Sequence, residues 1–496
     1  MADGARSDDP AVQKQLDRLE MLSPGRDVLG LERISEVLNR LGNPHEKLPP
    51  VFHVAGTNGK GSTCAFLRAA IEAEGLKAHV YTSPHLVRFN ERIRLAGQLV
   101  EDDYLAELLA RVLDISEDIN PSFFEATTAA AFLAFSETPA DACILEVGLG
   151  GRLDATNVIA RPVATGIAAL GIDHEGFLLS PEAGTPDEPI VRIAWEKAGI
   201  AKKGAPLLTQ KYAAEMLQVI ADHAAAVGAQ HFPRGGEWDA AIYEGQLHYI
   251  DRKGRIDLPQ PALAGAHQTD NAALAIAMLR HQDALAISDA ALRAAMGWAQ
   301  WPGRMQHLVA GPVTRLLPAD AGIWVDGGHN ASAGLALARY FADHEAGSID
   351  LVIGMLANKD PAAIITPLQD KLASVTVVPV PGHESHGREN YPEMDAPLNE
   401  ASDVTAALTG LSPDEGGQDR ADCRFTLSGR RCAESERAGP GLDALQGGLI
   451  DSRPGPETRN AYPFDDADYH RDSAHERGQD EDLEIALLLD HLAQCS

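Results

Sequence analysis

The stretch Val54 to Thr63, VAGTNGKGST, has residue types and spacing suited to holding a phosphate. Gly56, Gly59 and Gly61, with Thr57 and Asn58 between them, let the backbone turn tightly and aim its N–H groups at an anion. Lys60 can reach the outer phosphates of a nucleotide, and the Ser62 hydroxyl can ligate magnesium. The pattern is GTNGK with an extra glycine before the serine, not the common GxxxxGK[ST]. A glycine turn with one lysine is common, so its context decides. Val51–Ala55 before it is an apolar run that predicts a buried strand, and the residues after it have helical spacing. The positive end of that helix adds to the site.

Further along, Glu146 closes the apolar run ILEV and opens into a glycine turn, with Asp154 and Asn157 close behind. A carboxylate there is placed to hold magnesium; a solvated turn residue is the alternative. Asp173-His174 follow another strand-like stretch, where a neutral imidazole, a carboxylate and a hydroxyl would form a mixed site for a hard cation. Lys197, on a helix that Gly199 ends, reads as a surface lysine paired with a neighbour or as part of that site. Asn271 begins an expected helix over 271–279, where capping competes with binding. Asp326 and His329, in DGGHN, could meet a ribose hydroxyl and a base or phosphate, or could be turn and cap residues. Arg304, in WPGRM, could cross a cleft to a phosphate or form an ordinary interdomain salt bridge.

These residues need a scaffold. Strands expected at 51–55, 78–81 and 142–147 alternate with helices at 60–74, 102–115 and 126–135, which predicts a parallel sheet covered on both faces. In such folds ligands collect at the carboxyl ends of strands. A second, smaller α/β unit is expected from about Trp301, with strands at 323–325, 349–353 and 375–380 and a helix at 331–344. The expected domains are a polar arm at 1–27, a large nucleotide-binding domain at 28–300, a small α/β domain at 301–411 and a polar tail at 412–496. The tail's composition predicts disorder, apart from a helical apolar pattern at 483–492.

A chain of 496 residues with 45% hydrophobic content suits two or three globular domains. Its net charge of −30 argues against a general nucleic-acid or membrane surface, so an anionic substrate needs a local basic site. No apolar run is long enough to cross a membrane. The five cysteines lack metal or disulfide spacing, and the polar N-terminus lacks a signal-peptide core, which together point to the cytoplasm.

Taken together, the segments resemble the folylpolyglutamate synthase/dihydrofolate synthase family of the Mur ligase superfamily, in its bacterial bifunctional form. The resemblance rests on GLERISEVLNRLGNP, VAGTNGKGS, YTSPHL, RFNERIR, FFEATTAAAF, EVGLGGRLDATN, the Asp173-His174 pair, EKAGI, GAHQTDNAALA, WPGRM, DGGHN and GMLANKD, in family order from about Gly30 to about Leu408. It implies a large P-loop-type domain, a smaller C-terminal α/β domain, and a monomer. It implies an ATP-dependent, ADP-forming ligase that activates a carboxylate of dihydropteroate or a reduced folate as an acyl phosphate, which L-glutamate attacks. By resemblance, Lys60 contacts phosphates, while Ser62, Glu146 and His174 hold Mg2+. Lys197 matches the lysine that is carbamylated into an anionic metal ligand, in place of the surface reading. Asn271, Arg304, Asp326 and His329 match nucleotide-binding positions. Ser83, Pro84, His85 and Arg92 match the pterin side, with Phe124 and Glu125 near that cleft.

Two departures stand out. The connection between His174 and Trp195 is longer than the family's usual one and is Pro/Glu/Gly-rich. The family's closing segment, similar to GSLYLAG, is missing after Leu411. Back-translating Gln418–Glu436 and reading one base later permits RIVLIAGSLYLAGDVLKAN, so residues from about Ser412 read as an out-of-frame translation; a genuine acidic extension is the alternative. Loss of the native segment would leave the small domain's sheet with an unpaired edge. Two competing functional readings follow: a Mur-type amino-acid ligase, for which no UDP-sugar domain precedes Val51, and a folate- or ATP-binding protein impaired by its altered C-terminus.

Overall fold

A computed structural model describes residues 5–22, 29–308, 311, 313–317 and 321–411, together with the backbone at 425–426 and 488–489. The large unit contains, in order, α1 (Pro10–Leu22), α2 (Glu32–Arg40), β1 (Val51–Ala55), α3 (Lys60–Ala73), β2 (Ala78–Tyr81), β3 (Ile93–Leu95), β4 (Gln98–Leu99), α4 (Asp102–Ser116), α5 (Phe123–Glu137), β5 (Ala142–Glu146) and β6 (Ala164–Ile167). It continues through α6 (Glu175–Leu178), α7 (Pro189–Ala198), β7 (Pro206–Thr209), α8 (Ala214–Val227), β8 (Gln230–Pro233), β9 (Trp238–Tyr243), β10 (Gln246–Asp251), β11 (Gly254–Pro259), α9 (His267–Arg280) and α10 (Asp289–Trp298).

Eight strands form one sheet in the order β4-β3-β2-β5-β1-β6-β7-β8. All neighbours are parallel except β2-β3 and β3-β4. Every residue of β1 and β5 is buried, as a central parallel strand between helical layers requires. Helices α3, α9 and α10 share one core with one face of the sheet. Helices α1, α2, α4 and α5 share another core with the opposite face. The order β5-β1-β6 places the carboxyl ends of three expected site strands side by side.

The second unit contains β12 (Gln306–His307), β13 (Ile323–Val325), α11 (Ala331–Tyr340), β14 (Ile349–Gly354), α12 (Ala362–Leu368), β15 (Leu372–Val377), β16 (Leu398–Glu400) and α13 (Val404–Thr409). Its own core includes Val325, Phe341, Ile353, Leu368 and Val375.

Several expectations change. The segment read as a polar arm contains α1, whose Val12, Leu16 and Leu19 are buried because they recur at helical spacing on one face. Helix α9 starts at His267, which puts Asn271 a turn inside it instead of at its start. The antiparallel sheet β11-β10-β9 was not anticipated. The out-of-frame reading of the tail lies outside the described residues, apart from two short strands. β17 (Phe425–Thr426) pairs parallel with β13, and β18 (Leu488–Leu489) pairs parallel with β14, so neither neighbour is left unpaired there. A helix is expected over 483–492; residues 488–489 pair as a strand instead, and the rest of that segment lies outside the described residues.

Candidate active site

Gly59, at φ 82°, lets the chain leave β1 and enter α3 in the left-handed conformation. A Cβ at this position would collide with Asn271 Oδ1, so α9 closes over the loop. The amides of Thr57 and Asn58 donate to Ala169 O at 2.8 and 3.2 Å, and Thr57 Oγ1 donates to Gly171 O at 2.8 Å. The glycine loop is thereby tied to the chain leaving β6. Lys60 folds back over the loop, its Nζ 3.1 Å from Gly56 O and 3.2 Å from Thr57 O. Ser62 is buried in the first turn of α3.

The Lys60 ammonium acts on three buried groups, which ties Glu146, His174 and Lys197 to one region. Burial pushes the Glu146 carboxyl up to about 7, against the opposing pull of Lys60, the Ser83 amide, Arg304 and Arg92. Ser83 N–H donates to Glu146 Oε2 at 3.3 Å. His174 has φ 52° at the head of α6, and burial lowers its pKa to about 3, leaving a neutral imidazole. Burial and then Lys60 lower the Lys197 amine to about 7.

Among the described residues no three His, Cys, Asp or Glu side chains form a metal cluster. The donor set is mixed instead. A carboxylate that burial makes costly to ionise, a neutral imidazole and a buried hydroxyl fit a hard divalent cation, whose charge would restore the ionised Glu146.

Beside the loop lies a cleft of about 600 Å³, of nucleotide size. It brings together Asn58, Gly59, Ser62, Asn271, Arg304 and Asp326. Asp326 accepts from Met305 N at 2.8 Å and from Gly328 N at 2.7 Å, so it fixes the backbone beside Arg304. His329 does not line this cleft. Its Nε2 is 3.2 Å from Asp173 Oδ2, and its Nδ1 is 3.1 Å from Gly327 O.

Asp173 is where the two units meet. Its carboxylate accepts from Lys359 Nζ at 2.7 Å and Asn330 Nδ2 at 3.2 Å, besides His329. Burial opposes its ionisation, but His329, His174 and Lys359 hold it well below the usual carboxylate range. Asn58 Nδ2 donates to Asn330 Oδ1 at 3.1 Å, joining the glycine loop to the head of α11.

The expected pterin side is equally ordered. Arg92 is fully buried, donates from Nε to His85 Nδ1 at 2.9 Å and stacks against Phe89 and Phe123. Pro84 follows Ser83 through a cis peptide. Phe124 abuts Gly148, in the turn after Glu146. Glu125 Oε2 accepts from Ser122 N at 2.6 Å and from Arg33 Nε at 2.9 Å, which makes it the return arm of the α5 capping box. Its Oε1 is buried without a hydrogen-bond partner.

Sequence reasoning gave no role to Gln210, Lys211, Tyr212 and Arg234 in the cleft wall, nor to Lys359 beside Asp173. The first group comes from the residues that follow β7 and β8, for which no local motif exists. Lys359 lies in GMLANKD, five residues beyond the end of β14 at Gly354, and the turn after a strand's carboxyl end was the available signal.

No family model matches the chain. A dihydrofolate synthase/folylpolyglutamate synthase from Escherichia coli (strain K12) is 37% identical over 369 residues, covering 74% of this chain and 81% of that protein. A crystal structure of a bifunctional folylpolyglutamate synthase/dihydrofolate synthase with Mn, AMPPNP and L-glutamate bound matches with a TM-score of 0.67 and 31% identity, over 78% of this chain and 89% of that one. The structure of E. coli FolC in complex with DHPP and ADP matches with a TM-score of 0.70 and 27% identity, over 98% of this chain and 96% of that one. With that identity and coverage, the chain belongs to the folylpolyglutamate synthase/dihydrofolate synthase family.

Proposed function

We propose that this protein is an ATP-dependent ligase that adds L-glutamate to dihydropteroate, to reduced folates or to both, releasing ADP and phosphate. One observation carries the reading. The cleft joins Gly59, Ser62, Asn271, Arg304 and Asp326, and the charge of Lys60, on the loop between Gly59 and Ser62, acts on the buried Glu146, His174 and Lys197. The relatives support it, since one carries Mn, AMPPNP and L-glutamate and another DHPP and ADP.

Lys60 and Arg304 would meet the charge that develops on the transferring phosphoryl group from opposite units. Asn271 braces the loop at Gly59, and Asp326 sets the backbone on which Arg304 stands. Gly56, Thr57, Asn58 and Gly61 shape the phosphate cradle. Ser62, Glu146 and His174 would hold the divalent cation, which when bound neutralises phosphate charge. Lys197, with an amine near 7, is neutral often enough near pH 7 to add CO2, losing a proton and becoming an anionic carbamate ligand. Ser83, Pro84, His85, Arg92, Phe124 and Glu125 would line the pterin side. The substrate carboxylate would take the terminal phosphoryl group, and the glutamate amine would then displace phosphate from the acyl phosphate.

The relatives do not favour a cell-wall Mur ligase. No helix of the described residues is long and apolar enough to cross a membrane. A cytoplasmic monomer completes the proposal.

The test is ADP release by the purified chain with ATP, Mg2+ and L-glutamate, run separately with dihydropteroate and with tetrahydrofolate. Glutamate-dependent release with either supports the ligase, and the pattern assigns the step. No release with either rejects an active ligase and favours the impaired binding protein.

A further inference from the structure

The connection between His174 and Trp195 does not simply hang from the surface. Its residues 180–185 are gathered by two arginines. Arg192, on α7 and buried, donates from Nη2 to Ser180 O at 3.0 Å and from Nη1 to Thr185 Oγ1. Arg152, in the glycine turn after Glu146, donates from Nη2 to Glu182 Oε2 at 2.7 Å and to Glu196 Oε1 at 2.9 Å. Glu182 also lies 3.5 Å from Arg192, and Glu196 lies 3.9 Å from Arg192. Two arginines and two glutamates thus alternate in a closed ring, with Trp195 under the Arg152 guanidinium at 4.6 Å.

The ring sits where two site segments touch backbone to backbone. Arg152 N donates to Glu196 O at 2.9 Å. A Cβ on Gly151 would lie 3.0 Å from Lys197 Cα, and one on Gly199 would run into Arg152. Lys197 follows Glu196 directly, and Arg152 lies six residues beyond Glu146 in the same turn. The ring therefore spans the turn that follows one expected metal-side residue and the helix end that bears another.

We propose that Glu182 and Arg192 are positioning residues: through Arg152 and Glu196 they clamp the C-terminal turn of α7 onto the glycine turn, and so set Lys197 against Glu146. This rests on the reading of Lys197 and Glu146 as metal-side groups. The connection has a use in this account, since it delivers Glu182 between the two arginines. Glu182 is half exposed, and ion pairs of that exposure contribute little stability. An effect of its removal on metal affinity therefore reports position and not folding.

The experiment compares the full chain with its Glu182→Gln and Glu182→Asp forms. Mn2+ binding is followed by the electron paramagnetic resonance of free Mn2+ with a non-hydrolysable ATP analogue present, alongside Tm and the kcat and KM for ATP. The expected result for Glu182→Gln is a three- to tenfold loss of Mn2+ affinity and a fall in kcat at nearly constant KM, with Tm within about two degrees of the parent and partial recovery in Glu182→Asp. Mn2+ affinity within twofold of the parent, with or without a fall in Tm, overturns the proposal and leaves a surface brace. A parent chain that binds no Mn2+ overturns the metal-side reading itself, and the clamp falls with it.

Discussion

Lys359 Nζ lies 2.7 Å from Asp173 Oδ1, an ion pair between the small unit and the strand-end segment that carries His174. Both side chains are about 10% exposed, so the pair is poorly screened by water. His329 and Asn330 reach the same carboxylate from the same unit. Asp173 thus gathers three side chains of the small unit, alongside the Asn58–Asn330 link to the glycine loop.

That convergence gives a first prediction. In a double-mutant cycle of Asp173→Asn and Lys359→Met, read by urea unfolding, the coupling energy should fall at about 1–3 kcal/mol, as for contacting groups in one network. Additive effects would mean that the pair does not hold the units together.

Lys60 is already folded over its own loop, its ammonium on Gly56 O and Thr57 O. Lys60→Ala should lower kcat/KM for ATP by ~10²–10³-fold, the usual scale for removing one preorganised charge-stabilising donor. Circular dichroism and Tm should stay close to the parent. A loss under tenfold would place the phosphates elsewhere.

Gly59 combines φ 82° with contact against Asn271 Oδ1. Gly59→Ala should therefore carry a backbone cost of about 1–2 kcal/mol and also push Asn271 off the loop. Calorimetric titration with an ATP analogue should show binding weakened at least tenfold. Gly176→Ala, where nothing lies near the added Cβ, should bind as the parent does.

His53 gives the pH prediction. Burial lowers its pKa from 6.5 to about 3, and Nε2 is 2.8 Å from the Thr156 hydroxyl. The unfolded chain takes up this proton below about pH 6.5, while the folded one refuses it until about pH 3. Stability from this group is therefore full above pH 6.5 and is lost as pH falls toward 3. Between pH 7 and pH 4.5 the loss should reach about 2–3 kcal/mol at 1.36 kcal/mol per unit. His53→Asn should remove that share of the slope in guanidinium unfolding run at both pH values. Identical slopes for the two proteins would refute it.

Much of the scaffold was legible beforehand. β1, β2 and α3 lie where the apolar runs and helical spacing placed them, because a central parallel strand is buried on both faces and so reads as a mostly apolar run, here interrupted by His53 and His79. The hairpin strands β9 to β11 were not read. Their sequence alternates weakly, with Ile242, Tyr243 and Ile250 exposed, and the turn glycines Gly245 and Gly254 were the only cue. Glu125 was read for its place near a cleft, and its Oε2 also caps α5, a role that the sequence reading did not include.

The sequence by itself pointed to the phosphate loop, since GTNGKGS stands between a strand and a helix, whereas Glu146 and His174 had turn and structural readings as well until the resemblance over the whole chain picked them out. It also determined that they would lie at strand ends, because alternating strands and helices favour a parallel sheet. Only the tertiary structure decided that β5, β1 and β6 are neighbours, which carries Glu146, the loop and Asp173 to one edge. It alone brought Lys359 to Asp173 across 186 positions and Glu182 between Arg152 and Arg192. The physical reason is that charge pairing and burial depend on distance through space, whereas local pattern reports only the neighbours along the chain.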